Sequence, residues 1–260
     1  MERFFSIMAF AGVLVIFSSS FLGAALDDEL VFHLPFDEGA GKVAKDNSKN
    51  GHDAQLIANN KWVDGKIGKG IEITAEGQDC VQIDAVDTLK IEGENSILAW
   101  INSAGWAGSG DQWLDKNNHN GGEHTSYGMG VFGDGATVQL LLGGGNSRPT
   151  LSVPNTLEIK QWQHVAGTYD GSDMKIFING ELAGEQAQKF DFQGTNDQPV
   201  RIGCSKDRPQ YTFNGAIDEV AVFRRALSLD EIKQIMNGDL LAVSPKDKLA
   251  TVWGTLKSRQ

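Results

Sequence analysis

Apolar residues alternate with less apolar ones along much of the chain. The period of two residues is clear from Leu30 to Phe36. It returns at Ile71/Ile73, Val81/Ile83, Val138/Leu140/Leu142, Val165/Gly167/Tyr169 and Ile217/Glu219/Ala221. Successive side chains of a strand point to opposite faces of a sheet, so this period predicts strands with one buried face. We therefore expect an all-β protein.

Two dipeptides between apolar runs predict tight hairpins. Asp170-Gly171 and Asn179-Gly180 both supply residues that tolerate positive φ, as two-residue hairpin loops require. Together they predict a meander of three strands.

One short helix is expected near the end of the chain. Ser228 and Glu231 have the spacing of a capping box, and Gly238 provides a C-terminal cap. The predicted apolar face consists of Leu229, Ile232, Ile235 and Met236. This face is large enough to cover part of a sheet but too small to form a layer of its own.

The first 25 residues have the pattern of a signal peptide. The apolar run Phe4–Leu22 follows Arg3, and the small residues Gly23–Ala25 suit cleavage before Leu26. The run is also close to membrane-spanning length, so an uncleaved anchor is the alternative. We predict a secreted, periplasmic or cell-surface protein, with contact to a membrane only if this segment is retained.

The remaining chain divides into a domain at 26–241 and a tail at 242–260. The tail contains Pro245 and apolar residues at helical spacing, and its role is not determined by the sequence. Packing onto the domain and docking to a partner are both open.

Composition excludes some partners. The chain of 260 residues has 23 basic and 34 acidic residues, a net charge of -11. It offers no electrostatic attraction to nucleic acid or anionic lipid, so we expect no nucleic-acid partner. The 31 Gly and 13 Phe fit many turns between apolar strands.

Several segments resemble the laminin G-like jelly-roll domains of the concanavalin A-like superfamily in secreted bacterial proteins. They are Leu34–Gly39 (LPFDEG), Asp46–Gly51 (DNSKNG), Trp62–Gly70 (WVDGKIGKG), Trp162–Gly171 (WQHVAGTYDG), Ile178–Gly180 (ING) and Phe213–Val220 (FNGAIDEV). The resemblance implies an antiparallel sandwich of two sheets with one short helix near its end. This fold carries lectins, adhesion modules, enzymes and spacers, so it implies function less specifically.

The segment Asp46–Gly51 places oxygen-bearing side chains at alternate positions before a glycine, as calcium loops do. The resembling family often holds a calcium ion between its first and last strands. Asp46, Asn50 and Asp218 are the predicted ligands of a structural calcium. The alternative is an Asx-turn at Asp46 and an exposed or lysine-paired Asp218.

The polar, Gly-rich segment from Ser103 to Tyr127 is interpreted as a binding loop. Aromatic rings stack on sugar rings, and polar side chains fix hydroxyl groups. The predicted ligand-binding residues are Trp106, Trp113, Glu123, His124 and Tyr127. The alternative is that Trp106 and Trp113 pack into the end of the sandwich, since large aromatics are mostly buried.

Motifs for catalysis are missing. The chain has no Glu-x-Asp-x-Glu strand of the kind found in jelly-roll glucanases, no Gly-x-Ser-x-Gly and no phosphate loop. We predict a non-catalytic module that recognises a glycan or another extracellular polymer. A protein-adhesion or scaffold module is the alternative, and a polysaccharide-active enzyme is less favoured. The oligomeric state is not determined.

Cys80 and Cys204 are the only two cysteines. An exported chain meets an oxidising compartment, where the two can pair. Two free buried thiols are the alternative that the sequence leaves open.

Overall fold

A computed structural model describes residues 28–74, 79–105, 110–117, 126–132, 137–143, 148–190, 196–205 and 211–240. Within these ranges the chain forms two antiparallel sheets stacked as a sandwich, with one α-helix of eight residues. The all-β jelly-roll prediction is confirmed. No helix in the described ranges is both long and apolar enough to cross a bilayer.

The strands in chain order are β1 (Leu30–Leu34), β2 (Val43–Ala44), β3 (Ala54–Ile57), β4 (Lys61–Asp64), β5 (Lys69–Ile73), β6 (Cys80–Ile83), β7 (Asn95–Ser103), β8 (Asp111–Lys116), β9 (Tyr127–Phe132), β10 (Thr137–Leu142), β11 (Thr150–Val153), β12 (Gln163–Tyr169), β13 (Asp173–Ile178), β14 (Glu181–Ala187), β15 (Val200–Ile202) and β16 (Gly215–Phe223). A 3₁₀ turn, η1, spans Asp87–Leu89, and the helix, α1, spans Leu229–Met236.

Non-local pairing connects the two halves of the chain. Sheet A has the order β14-β13-β12-β7-β16-β5-β4, and β1 also pairs with β16. Sheet B has the order β11-β10-β9-β8-β15-β6-β3-β2. The first and last strands are therefore neighbours, as the family resemblance implies.

The core lies between the sheets and follows the predicted alternation except in β16, where a bulge between Asp218 and Ala221 places Ile217 and Ala221 on opposite faces. Ile71, Val81, Val138, Val165 and Ile217 are each fully buried. A second, smaller apolar cluster lies on the outer face of sheet A, where α1 covers Leu98, Ala166, Phe177, Ala221 and Phe223. Apolar side chains on either face of a sheet are stable only if another layer shields them from water. Sheet B shields the inner face of sheet A, and α1 shields its outer face.

The predicted hairpins and helix cap are confirmed. Asp170-Gly171 lies between β12 and β13, and Asn179-Gly180 lies between β13 and β14. The Ser228 side chain accepts from the backbone N–H of Glu231, and the Glu231 side chain accepts from that of Ser228. One detail of the predicted apolar face differs, since Leu229 is 37% exposed. Leu229 is the first helical residue and points away from the sheet.

The interpretation of Ser103–Tyr127 as one binding loop is wrong for residues 111–116 in the middle of that segment. Residues Asp111–Lys116 form β8, an interior strand of sheet B that pairs with β9 and β15. A bulge between Gln112 and Leu114 places both Trp113 and Leu114 in the core. The bulge and the buried polar residues of β8 remove the two-residue period that would have revealed the strand.

The predicted disulfide is confirmed. Cys80 and Cys204 are bonded, and their Cα atoms are 5.3 Å apart. Cys80 begins β6 and Cys204 follows β15, its antiparallel neighbour. The bond joins two adjacent strands across 124 residues of sequence.

Candidate functional site

The predicted sugar-binding aromatics that the structure describes lie in the core. The side chains of Trp113 and Tyr127 are both fully buried, and the Tyr127 hydroxyl donates to Leu89 O at 3.1 Å. Burial also raises the pKa of Tyr127 far above its ordinary value. Neither ring presents a face on which a sugar could stack. Trp106, Glu123 and His124 lie outside the described residues.

Strand β8 also separates the two parts of the predicted loop. The segment that contains Trp106 joins β8 at its first residue, and the segment that contains Glu123 and His124 leaves after its last residue. A strand of six residues spans about 20 Å. The two connections therefore meet β8 at opposite ends.

Asp46 is an acceptor for main-chain and hydroxyl groups. Its Oδ1 accepts from the backbone N–H of His33 (2.9 Å) and Ser48 (2.8 Å). Its Oδ2 accepts from Ser48 Oγ and from the backbone N–H of His52, each at 2.7 Å. The Asn50 side chain donates to the carbonyls of β1, so it holds the same turn against the first strand.

Asp218 has an equivalent role at the last strand. Its Oδ2 accepts from the backbone N–H groups of Lys66 (2.8 Å) and Ile67 (2.9 Å), and its Oδ1 accepts from that of Glu219 (2.8 Å). Burial, followed by the nearby Glu219, raises the pKa of Asp218 to about 7 although these hydrogen bonds lower it. The buried carboxylate thus organises the turn between β4 and β5.

These contacts satisfy Asp46 and Asp218 without a cation. In the described part of the chain, no group of three or more His, Cys, Asp or Glu side chains is close enough to hold a metal ion. Calcium binding at Asp46, Asn50 and Asp218 stays a prediction.

The outer face of sheet B carries a continuous polar row. Register places Arg201 beside Asp115 on one side and beside Gln82 on the other, with Gln55 next to Gln82. Gln112 and Gln139 lie on the same face, each beside Gly130. We call these six side chains the polar row. It crosses from β10 to β3, a distance of about 24 Å.

The row differs in burial from its ends to its centre. Gln55 is exposed, whereas Asp115 (0%), Gln112 (1%) and Arg201 (6%) are buried. A polar side chain this deeply buried needs hydrogen-bonding partners to offset its lost hydration. The centre of the row is therefore closed to solvent, and the side chains of the row that reach solvent are Gln55, Gln82 and Gln139.

Two glycines of β9 lie on this face, and both are buried. Gly128 and Gly130 of β9 face outward, between β8 and β10, about 7 Å apart. At Gly130 an added Cβ would lie 3.0 Å from Phe132 Cε2 and 3.0 Å from Asp111 O. At Gly128 it would lie 3.1 Å from Leu114 O. A larger residue at either position would have to displace these neighbours.

A pair of half-buried aromatic rings lies near Gly130. Phe132 and Tyr211 pack edge to face, with ring centroids 6.1 Å apart and an interplanar angle of 74°. The Phe132 ring lies beside Gly130, so it shares the outer face with the polar row. These two aromatics, unlike Trp113 and Tyr127, have ring surface outside the core.

Asn117 and Ser126 lie at the opposite end of β9, beside Gly128. Asn117 Nδ2 lies 3.8 Å from the position of a Cβ at Gly128. Ser126 donates its backbone N–H to Lys116 O at 2.9 Å, which places it across from Asn117. The face thus has aromatic surface at one end of β9 and polar side chains at the other.

The sequence reasoning missed these residues for identifiable reasons. Gln112 and Asp115 were included in a presumed loop, and Phe132 and Tyr211 are separated by 79 residues of sequence. The available signal was the alternation of glycine with large apolar residues in Gly128-Met129-Gly130-Val131. A strand with this pattern has large side chains on one face and no side chains on the other.

The protein is thus a β-sandwich in which the outer face of sheet B carries polar and aromatic side chains. A family model for laminin G domains, described as the concanavalin A-like lectin/glucanases superfamily, matches residues 75–233. The chain belongs to this family.

Solved structures share the fold at low sequence identity. Domain 4 of an extracellular arabinanase from Geobacillus stearothermophilus, solved with arabinotriose, has a TM-score of 0.63 and 19% identity, covering 80% of this chain and 98% of that one. The binding domain of Paraclostridial Mosquitocidal Protein 1 has a TM-score of 0.64 and 16% identity, covering 82% and 53%.

One curated relative is a human protein. Adhesion G-protein coupled receptor D1 from Homo sapiens is 26% identical over 133 residues. The match covers 49% of this chain but only 15% of the receptor.

Proposed function

We propose that this chain is a non-catalytic carbohydrate-binding module whose binding surface is the outer face of sheet B. The polar row beside the Phe132–Tyr211 pair is the observation that carries the proposal. Sugars are amphipathic, with C–H faces that stack on aromatic rings and hydroxyls that both donate and accept. The amides of Gln55, Gln82 and Gln139, which reach solvent, together with the half-buried rings of Phe132 and Tyr211, match both properties.

The comparisons support a binding role for this fold. One similar structure contains an arabinotriose, and another, 16% identical with a TM-score of 0.64, concerns cell entry of botulinum neurotoxin type C through two ganglioside molecules. At these identities the similarity concerns the fold, so the ligand of this chain has to come from its own residues.

Export fits this function. A glycan-binding module meets polymers outside the cell, and the Cys80–Cys204 bond is a feature that oxidising compartments favour. We therefore place the protein outside the cytoplasm, with residues 1–25 as a cleaved signal peptide. Mass spectrometry of the exported protein tests this placement, because cleavage predicts a mature chain that begins at Leu26.

Affinity electrophoresis against a panel of soluble polysaccharides tests the function. We expect retardation of the wild-type protein by at least one polysaccharide, and loss of retardation in Phe132→Ala and Tyr211→Ala. Trp62→Ala is the matched control, since Trp62 is a half-buried aromatic on β4 of sheet A. No retardation by any polysaccharide would contradict the proposal, and so would equal loss in the control.

The absence of catalysis is tested on the same panel. Incubation followed by reducing-end and unsaturation assays should show no product above a protein-free blank. Release of sugar by wild-type protein would overturn the non-catalytic assignment.

Calcium is a separate prediction of the sequence. Isothermal titration with calcium, compared between wild type and Asp46→Ala, tests it directly. Binding that disappears in the variant would support the sequence prediction, and unchanged or absent binding would remove Asp46 as a ligand.

A protein-adhesion role is the second candidate. Strand β14 is one of the two edges of the β14–β4 strand order in sheet A, and Leu182 on it is 51% exposed. An exposed edge with an apolar side chain can pair with a strand of another protein. If Leu182→Lys abolishes attachment of protein-coated beads to cells while the Tyr211→Ala variant retains it, adhesion through β14 replaces glycan binding.

A further inference from the structure

A buried lysine and a buried asparagine contact each other beside sheet B. Lys116 is the last residue of β8, and Asn196 precedes β15, the strand next to β8. Lys116 is 1% exposed and Asn196 is 3% exposed. Their sequence separation is 80 residues. Neither residue belongs to the polar row.

Hydrogen bonds hold the amine of Lys116 against the side-chain amide of Asn196. Lys116 Nζ donates to Asn196 Oδ1 at 2.9 Å, and to the main-chain oxygens of Asn196 and Gln198, each at 2.7 Å. A C=O bond is about 1.2 Å long, so Nζ lies within about 4 Å of the amide carbon Cγ. The amine is therefore already near the distance from which a nucleophile attacks a carbonyl carbon.

Two further hydrogen bonds fix and polarise the Asn196 amide. Its Nδ2 donates to Lys116 O at 3.1 Å, which holds the amide in one orientation. Its Oδ1 accepts from the backbone N–H of Gln198 at 3.1 Å. A backbone N–H aimed at a carbonyl oxygen stabilises the negative charge that develops there when a nucleophile adds to the carbon.

Burial favours the reactive form of the amine, since only a neutral amine has the lone pair that attacks. Burial, aided by the nearby Lys90, lowers the pKa of Lys116 to about 8, although the nearby Asp197 raises it. At pH 8 about half of the Lys116 side chains are therefore neutral, against about one in 300 for an exposed lysine with the ordinary pKa of 10.5.

A cavity connects the Asn196 amide to solvent. It has a volume of about 210 Å³, and its lining includes Asn196, Asp197 and Lys90. One water-sized molecule occupies about 30 Å³ in the liquid, so the cavity has room for a released ammonia.

We propose that Lys116 and Asn196 are a site of spontaneous covalent modification, at which the lysine amine and the asparagine amide form an isopeptide bond. Nζ adds to Cγ, and the Cγ–Nδ2 bond breaks as the Nζ–Cγ amide forms. Counted from the ammonium form of Lys116, two protons pass from Nζ to the leaving nitrogen. The products are one secondary amide and one ammonium ion, and the reaction needs no oxidant, reductant or other co-reactant.

The bond would give the sandwich a second cross-link. Cys80–Cys204 joins β6 to the end of β15, and Lys116–Asn196 would join β8 to the segment before β15. A cross-link across 80 residues restricts the unfolded chain, and an amide, unlike a disulfide, resists reductants. The inference is independent of the proposed glycan binding.

Intact-mass measurement and peptide mapping test the proposal. Protein prepared at pH 6 is incubated at pH 6 and at pH 9, then unfolded, reduced and digested with trypsin. We expect a product lighter by the mass of one ammonia, and a branched peptide in which Lys116 is joined to Asn196 and is not cleaved. The branched peptide should form at least about tenfold faster at pH 9, where more of the amine is neutral.

Three controls accompany the wild-type protein. Lys116→Arg keeps the positive charge but cannot form the bond, so it should give no branched peptide. Lys61→Arg alters a lysine whose side chain is 70% exposed, and it should react like wild type. Wild-type protein kept in concentrated urea at pH 9 shows the ordinary deamidation of an unfolded chain, and it should give no branched peptide.

The branched peptide decides the outcome. Its formation in the folded wild type, and not in urea, supports the proposal. Its absence after folded wild-type protein is held at pH 9 overturns the proposal, and so does its formation in urea, which would require no folded site. If Lys116→Arg does not fold, the comparison with urea gives the same decision.

Discussion

His33 and Glu219 join the first strand to the last. The His33 Nε2 atom lies 2.5 Å from Glu219 Oε2, and their side chains are 2% and 11% exposed. Glu219 lies in a bulge of β16 at φ 51°, a conformation that few non-glycine residues adopt. The bulge turns its carboxylate toward β1, so the contact is made at the cost of local backbone strain.

Removal of this carboxylate should destabilise the protein. Glu219→Ala leaves a buried imidazole without its partner, and we expect the free energy of unfolding to fall by about 1–3 kcal/mol. Urea denaturation followed by tryptophan fluorescence measures the change. The control Glu181→Ala, at an exposed edge position, should stay within about 0.5 kcal/mol of wild type. Equal stability of both variants would show that the His33 contact contributes nothing.

Loss of the disulfide should be costly because it closes a long loop. Cys80→Ala/Cys204→Ala removes a cross-link over 124 residues, and the chain-entropy model gives a loss of about 5 kcal/mol. Chemical denaturation with and without dithiothreitol checks this. Reductant should lower the midpoint of wild type and leave the double variant unchanged. If dithiothreitol leaves the denaturation midpoint of the wild-type protein unchanged, the bond is absent in solution.

Acid sensitivity should depend on His164. Burial lowers the pKa of His164 to about 3, and its ring packs edge to face against Trp100 at 5.3 Å. In the unfolded chain the imidazole binds a proton near pH 6.5, so between pH 6.5 and 3 the unfolded state holds more protons than the folded state. Stability is then present above pH 6.5 and is lost as the pH falls toward 3, by about 3–5 kcal/mol.

The comparison with His164→Phe isolates this contribution. The variant retains an aromatic ring beside Trp100 but cannot titrate. Its unfolding free energy, measured at half-unit intervals, should decline less steeply than that of wild type over this range. Parallel curves would assign the acid sensitivity to other groups.

Alkaline behaviour should depend on Lys116. Its Nζ donates to Asn196 O (2.7 Å), Asn196 Oδ1 (2.9 Å) and Gln198 O (2.7 Å), and burial, aided by the nearby Lys90, lowers its pKa to about 8. Between pH 8 and the ordinary value of 10.5, the unfolded state binds the extra proton. Stability should therefore rise across this interval, by up to about 1.4 kcal/mol per pH unit.

The variant Lys116→Met should be less stable than wild type at pH 7, because the carbonyls at Asn196 and Gln198 lose their donor, and should lack the rise above pH 8. The control Lys61→Met alters an exposed lysine, whose side chain is 70% exposed, and should keep the wild-type profile. A rise that persists in Lys116→Met would exclude this lysine as its source.

The sequence by itself determined the elements that depend on local pattern. These elements depend on interactions within a few residues, so their signals can be read from a short stretch of sequence. They include the period of two at Ile71 and Val165, the hairpin at Asn179-Gly180 and the capping box at Ser228. Together with the family resemblance, they were sufficient to predict the sandwich and its helix.

Only the tertiary structure decided which residues share a face. Strand β8 could not be recognised locally because a bulge breaks its period and because Asp115 and Lys116 are buried by contacts with distant residues. The row from Gln139 to Gln55 is assembled by pairing among six strands, and Tyr211 reaches Phe132 from 79 residues away. Register between non-neighbouring strands is set by the packing of the whole core, so no single segment contains the information that places these side chains together.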